Sequence, residues 1–242
     1  MTDKMRDKTN LDYSEVETAV RTAGSPEKAI VLQGFFKTGK GQYGEGDLFL
    51  GVTVPASRKI ARKYRELPLP EVLKLLKNPY HEVRFCALMI LVEQYERGDE
   101  KLRDRIYLLY LGNTRYINNW DLVDLSAPDI VGTHLLNGDR SVLDRLAGSG
   151  SLWEQRIAMV STITFIRKGE FADTFRLAER FRTHRHDLMH KAAGWMLREV
   201  GKRDRSALTE FLRKHRLSMP RTMLRYAIEH YPEEQRREFL KR

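Results

Sequence analysis

The chain has 242 residues, of which 41% are apolar and 31% charged, so it is long enough to bury a sizeable core and is expected to be a folded, soluble protein. No apolar run approaches the roughly 20 residues of a membrane span, and the polar start Met1–Asn10 has no apolar region behind it and does not read as a signal peptide. Cys86 is the sole cysteine, which excludes an internal disulfide and makes a cytosolic location the simple expectation.

The net charge of +10 is concentrated at one end. Residues 180–242 carry 17 Lys+Arg against 8 Asp+Glu, while the rest of the chain carries 26 against 25. A basic end of this kind points to an anionic partner, with nucleic acid first among them. The alternative is a solvated, arginine-rich helix surface.

Residues 1–12 are polar and expected to fray. Ser14–Arg21 and Pro26–Lys37 are predicted as two short helices, the second opening on Ser25 as cap with Pro26 in the first turn. Between Lys37 and Asp47, Gly39, Gly41 and Gly44 are followed by Gly46, and the stretch superficially matches a glycine-rich dinucleotide motif. That motif needs a strand before it and a helix opening on it, whereas Ala29–Phe36 reads as helix. The segment is either a flexible loop from which Lys37, Lys40 and Tyr43 reach a phosphate backbone, or a plain connector.

From Val54 onward the pattern is helix after helix. Pro55 and Pro70 mark helix starts, and Asn78-Pro79 marks a break before His81. No segment alternates with period 2, so essentially no sheet is expected. The segments beginning at His81, Leu152 and Leu188 resemble one another, with Arg84, Arg156 and Lys191 in similar places, and steps in the mid-thirties lead back to Asp121 and on to Arg225. Two helices per unit at that period predict an all-α, HEAT-like helical-repeat solenoid. The repeated segments would be inner helices lining a concave basic DNA-binding face, with outer helices at 101–112, 139–147, 171–183 and 203–214. One all-helical domain over 1–242 is expected, with helices at 14–65 as an N-terminal cap and repeats from about 70 to 240.

Trp120 and Asp124 are four residues apart and share a face if 115–128 is helical, whereas Asp121 points elsewhere. The repeat register places Asp124, Arg156 and Trp195 on successive inner helices, so that two indoles, a carboxylate and a guanidinium would line one cleft. Each has a structural alternative. Trp120 and Trp195 would pack repeats together, Asp124 and Arg156 would be an inner-face ion pair, and Lys191 a solvated charge. Trp153, Phe85 and Phe165 are read as core. His184, His186 and His190 lack the further ligands that zinc normally takes and are read as partly exposed polar residues near DNA; no metal is expected.

The combination Trp120-Asp-Leu-Val-Asp124, Leu152-Trp-Glu-Gln-Arg156 and Lys191-Ala-Ala-Gly-Trp195-Met-Leu-Arg-Glu-Val, together with Phe49-Leu-Gly-Val-Thr-Val-Pro-Ala-Ser-Arg58, resembles the AlkD-type DNA alkylation repair family. The resemblance covers nearly the whole chain from about Pro26. It implies a HEAT-like-repeat DNA glycosylase that excises positively charged N3- and N7-alkylated purines, without a base-binding pocket and with no cofactor. It implies that Asp124 is the catalytic carboxylate, that Trp120 and Trp195 are the cleft tryptophans, and that Arg156 contacts DNA. Lys191, His190, Lys37, Lys40 and Tyr43 are further expected DNA contacts. The implied partner is double-stranded DNA containing alkylated purines, bound by a cytoplasmic, nucleoid-associated monomer with no membrane attachment. A DNA-shape sensor without catalysis and a protein-interaction scaffold are the competing readings.

Overall fold

The computed structural model describes residues 11–241. Met1–Asn10, where most of the expected frayed segment falls, lie outside the described residues. Asp12 is ordered, and its carboxylate accepts the Ser14 N–H at 2.6 Å as the cap of α1 (Tyr13–Thr22). The described chain is all-helical and has no strand; Leu48 and Tyr80 form one isolated parallel bridge. No described helix is long and apolar enough to cross a membrane.

The chain divides into two compact units, the first ending at Leu122 and the second beginning at Val123. The first holds α1, α2 (Pro26–Phe35), α3 (Val54–Lys63), α4 (Leu69–Leu76), α5 (His81–Arg97) and α6 (Glu100–Leu111). Its centre is α5, apolar on nearly every face and buried from His81 through Val92, as expected of a helix surrounded by others. Helices α1, α3, α4 and α6 pack against it. Ser25 caps α2 and Pro26 sits in its first turn. The helix stops at Phe35, short of the predicted Lys37, because Lys37 takes a left-handed backbone with φ 53° that no α-helix continues. None of the residues of α2 is buried, and Ile30 and Val31 are 72% and 69% exposed.

The segment from Asp47 to Thr53 is held by Glu82. Its carboxylate accepts the backbone N–H groups of Leu50 (2.9 Å), Gly51 (2.7 Å) and Val52 (3.2 Å). Gly51 has φ 81°, and a Cβ there would lie 2.0 Å from the Ser25 carbonyl oxygen, so this close approach requires glycine.

The division between units falls inside α7 (Trp120–Asp124). The second unit continues through a π-helical turn at Pro128–Gly132, then α8 (Ser141–Ala147), α9 (Leu152–Ser161), α10 (Ile163–Ile166), α11 (Ala172–Phe181), α12 (Asp187–Arg203), α13 (Arg205–His215), α14 (Arg221–Ala227) and α15 (Glu233–Leu240). The π-turn begins at a proline, which lacks an N–H, and the Pro128 carbonyl accepts the Thr164 hydroxyl at 2.9 Å. Helices α9 and α12 are the buried inner pair, in contact with each other; α8 packs on α9, and α11, α13 and α14 pack on α12. The predicted outer helices thus appear as α6, α8, α11 and α13, in the alternation of an all-α repeat solenoid. Phe85 and Phe165 are core residues, whereas Trp153 is only half-buried.

Gly194 lets α12 and α14 pack closely. A Cβ at this position would lie 2.6 Å from both the Met223 carbonyl oxygen and the Tyr226 Cβ. Since one contact is backbone, Gly194→Ala is expected to cost about 1–3 kcal/mol through overpacking, read as a lower urea midpoint at unchanged m-value.

Candidate functional site

In the second unit, Asp124 ends α7 and Arg156 lies on α9. The guanidinium grips the carboxylate with two parallel bonds, Nε to Oδ1 at 2.8 Å and Nη2 to Oδ2 at 2.7 Å. The remaining terminal nitrogen, Nη1, donates to the Leu188 carbonyl oxygen at 2.7 Å, which brings in the first turn of α12. The Arg156 side chain is 6% exposed and that of Asp124 13%. This fork–fork geometry fixes the plane of the carboxylate as well as its position. The repeat register predicted this meeting of Asp124 with Arg156. The ladder alternative for the pair is therefore real in geometry, since the carboxylate is held by the arginine at both oxygens.

The other residues expected on α12 are arranged differently. Lys191 is 41% exposed and pairs with Asp187 on its own helix at 2.9 Å. Trp195 is half-buried, about two turns beyond Leu188. The three histidines tie down the entry to α12. His184 Nδ1 accepts the His186 N–H at 3.0 Å, which leaves its Nε2 to donate to Gln155 Oε1 at 2.9 Å. His186 caps the helix by accepting the Leu188 N–H at 3.2 Å, and His190 Nε2 donates to the His184 carbonyl oxygen at 2.6 Å. Burial pushes the pKa of His184 and of His186 below the ordinary imidazole value. Among the described residues no group of three or more His, Cys, Asp or Glu is placed to hold a metal ion.

In the first unit, Trp120 is half-buried in an aromatic cluster. It stacks on Phe36 with ring centroids 5.2 Å apart and meets Phe35 edge-on at 5.9 Å. Beneath them lies a buried polar network. Asp47 Oδ1 accepts from Arg84 Nη2 at 2.8 Å and from Asn118 Nδ2 at 3.0 Å, and His81 sits between Asp47 and Asp121. Burial would raise the Asp47 pKa, but the His81 hydrogen bond and the Arg84 charge together hold it below the ordinary carboxylate value. Arg84 also donates to the Asn78 and Pro79 carbonyls at 3.0 Å each. Lys37 and Lys40 project from the exposed loop, and the half-buried Tyr43 hydroxyl lies 3.5 Å from the Phe35 carbonyl oxygen.

The sequence model of the family described as DNA alkylation repair enzyme matches residues 16–231. The chain belongs to that family. Membership makes it an enzyme of DNA alkylation repair, with DNA as its substrate. Among solved structures, the chain is similar to a predicted DNA alkylation repair enzyme from Enterococcus faecalis, at 16% identity and a TM-score of 0.67, over 87% of this chain and 97% of that one. At that identity the likeness concerns the fold. No curated protein sequence matches the chain.

Within this DNA alkylation repair enzyme, the network of Asp47, His81, Arg84 and Asn118 went unread in the sequence. One signal was available: Arg84 occupies the place of Arg156 in its repeat, and Asp47 gives it a carboxylate as Asp124 does for Arg156. Breaking the Asp124–Arg156 pair should be costly, because the partner left behind is a poorly solvated charge. Arg156→Ala is expected to lose about 3 kcal/mol of stability, and Arg156→Lys to recover only part of it because an ammonium does not reproduce the fork. Urea denaturation of the two variants checks both.

Proposed function

We propose that this repair enzyme is a monofunctional DNA glycosylase that hydrolyses the N-glycosidic bond of positively charged N3- and N7-alkylated purines, with Asp124 as the catalytic carboxylate. The observation that carries the reading is the fixed, partly exposed Asp124 carboxylate in the grip of Arg156.

An alkylated purine that already bears a positive charge leaves as a neutral base, taking the bonding electron pair with it. No acid need protonate it, so one carboxylate suffices. The deoxyribose left behind gains oxocarbenium character, and a preorganised carboxylate beside it lowers the barrier. Water then adds to the anomeric carbon, and its proton passes to Asp124 or to solvent. Trp120 and Trp195 are assigned as indole faces that pack on the sugar and favour cationic character there. Arg156, Lys191, His190, Lys37, Lys40 and Tyr43 are assigned to the phosphate backbone around the lesion, where contacts position rather than specify. Substrate is alkylated duplex DNA bound by a monomer.

The same bidentate pair favours a second reading, in which Arg156 fully satisfies Asp124 and the protein binds distorted DNA without releasing a base. One experiment separates the two. Asp124→Asn is expected to reduce release of 7-methylguanine from methylated duplex by about 100-fold, while duplex binding keeps its steep dependence on salt. Chromatography of released bases measures the first and a salt titration of binding the second. Base release unchanged by the substitution would remove Asp124 from the chemistry, and no release by the unaltered protein would favour the sensor.

A further inference from the structure

His81 opens α5 and is 2% exposed. Its Nε2 lies 2.8 Å from Asp121 Oδ2 and its Nδ1 3.4 Å from Asp47 Oδ2. Phe49 stacks on the ring at 4.6 Å and Phe36 lies at 4.9 Å. Both ring nitrogens therefore face carboxylate oxygens. A neutral imidazole has one N–H and one lone pair, so one of those contacts would set a lone pair against a carboxylate oxygen. An imidazolium donates at both.

Charge balance points the same way. The buried group holds two carboxylates, Asp47 and Asp121, and one guanidinium, Arg84. One negative charge is left over unless His81 supplies a positive one, and uncompensated charge is what an interior tolerates least. The negative face of Phe49, stacked on the His81 ring, also favours a cation there.

The network reaches Trp120 by three routes. Phe36 contacts both His81 and Trp120. Asp121, the next residue, accepts from His81. Asn119 on the other side accepts the Trp120 N–H at 2.9 Å and places its Nδ2 3.5 Å from Asp47. We propose that His81 is a positioning residue: held as an imidazolium between Asp47 and Asp121, it fixes the turn at 119–121 so that the Trp120 indole stays stacked on Phe36. Its effect on base release rests on the glycosylase reading; its effect on Trp120 does not.

The groups that face the ring are Asp47 from the loop, Asp121 from α7 and Arg84 from α5 itself, while Glu82 is turned to the backbone at 50–52. Burial by itself lowers the imidazole pKa; the Asp121 charge and the hydrogen bonds to Asp121 and Asp47 outweigh it, with Arg84 opposing, and the value stands above the ordinary one. A raised folded-state pKa means that the stabilisation is complete below the unfolded value of roughly 6.5 and is lost as pH rises through the folded-state value.

The test is an NMR titration of the full chain from about pH 6 to about pH 10, following the His81 ring nitrogens and the Trp120 indole N–H, the latter assigned with Trp120→Phe. His81 is expected to be doubly protonated at neutral pH, and the Trp120 signal to shift with the His81 midpoint while those of Trp153 and Trp195 stay in place. Asp121→Asn should lower that midpoint and carry the Trp120 signal with it. His81→Gln should abolish the shared titration and reduce kcat for base release roughly 10- to 100-fold. A neutral His81 at pH 7, or a Trp120 signal that ignores the His81 titration, overturns the proposal without recourse to any variant. If the unaltered protein releases no alkylpurine, the glycosylase reading fails, and the NMR observations still decide the role of His81.

Discussion

A buried arginine that grips a carboxylate with one edge and a backbone carbonyl with the other is the interaction on which each unit depends. Arg84 joins Asp47 to the carbonyls of Asn78 and Pro79. Arg156 joins Asp124 to the carbonyl of Leu188. In both cases the arginine sits near the start of an inner helix and reaches a carboxylate remote in sequence. Burying such charges is expensive, and leaving one unpaired is more so. The pairs therefore act less as sources of net stability than as locks, because a slipped helix would strand a charge in the interior. Lys191, at the matching place on α12, has no such role. Its flexible ammonium stays at the surface and pairs with Asp187, as the different hydration of the two cations leads one to expect.

The helical layout was legible because its signals are local or strictly periodic. Ser25-Pro26 started a helix, Asn78-Pro79 broke one, and the mid-thirties spacing located the outer helices within a few residues. The Asp124–Arg156 contact was legible for the same reason, since both residues lie on repeating elements. Asp47 was not, because it comes from the irregular segment before α3, where no period fixes which way a side chain points. The helix end at Phe35 was hidden in Lys37, a residue type that gives no warning of a left-handed backbone. The histidines are partly exposed, as expected; the sequence did not show that His184 and His186 also spend their Nδ1 acceptors on the chain entering α12, a capping task more usual for Ser, Asp or Asn.

The glycine-rich segment gains a meaning from its last residue. Read as a motif, 37–47 offered a phosphate loop or a connector. Its exposed lysines remain available to an anion, but Asp47 turns inward to His81, Arg84, Asn118 and Asn119. The loop's conformation is thus coupled to the groups beneath Trp120, with Phe36 and Phe49 closing the aromatic side. A segment that looks like surface in composition is partly a component of the interior.

In the glycosylase proposed above, the arginine on Asp124 would bear on how much catalysis the carboxylate supplies. A sugar cation ~4 Å from the carboxylate, at an effective dielectric of about 20, gains ~4 kcal/mol, while a guanidinium on the far side at ~8 Å takes back ~2 kcal/mol. Closer approach, at ~3 Å against ~7 Å, leaves about 3 kcal/mol. The net 2–3 kcal/mol corresponds to roughly 30- to 150-fold in rate. That is a modest contribution for an enzyme and an inadequate one for a neutral base, whose departure needs a proton as well. It is adequate for a purine whose alkyl group already supplies the positive charge. On the proposed glycosylase reading, the ion pair would therefore limit the chemistry to leaving groups that arrive activated, and in exchange would hold the carboxylate in one orientation, so that little reorganisation remains when the bond breaks.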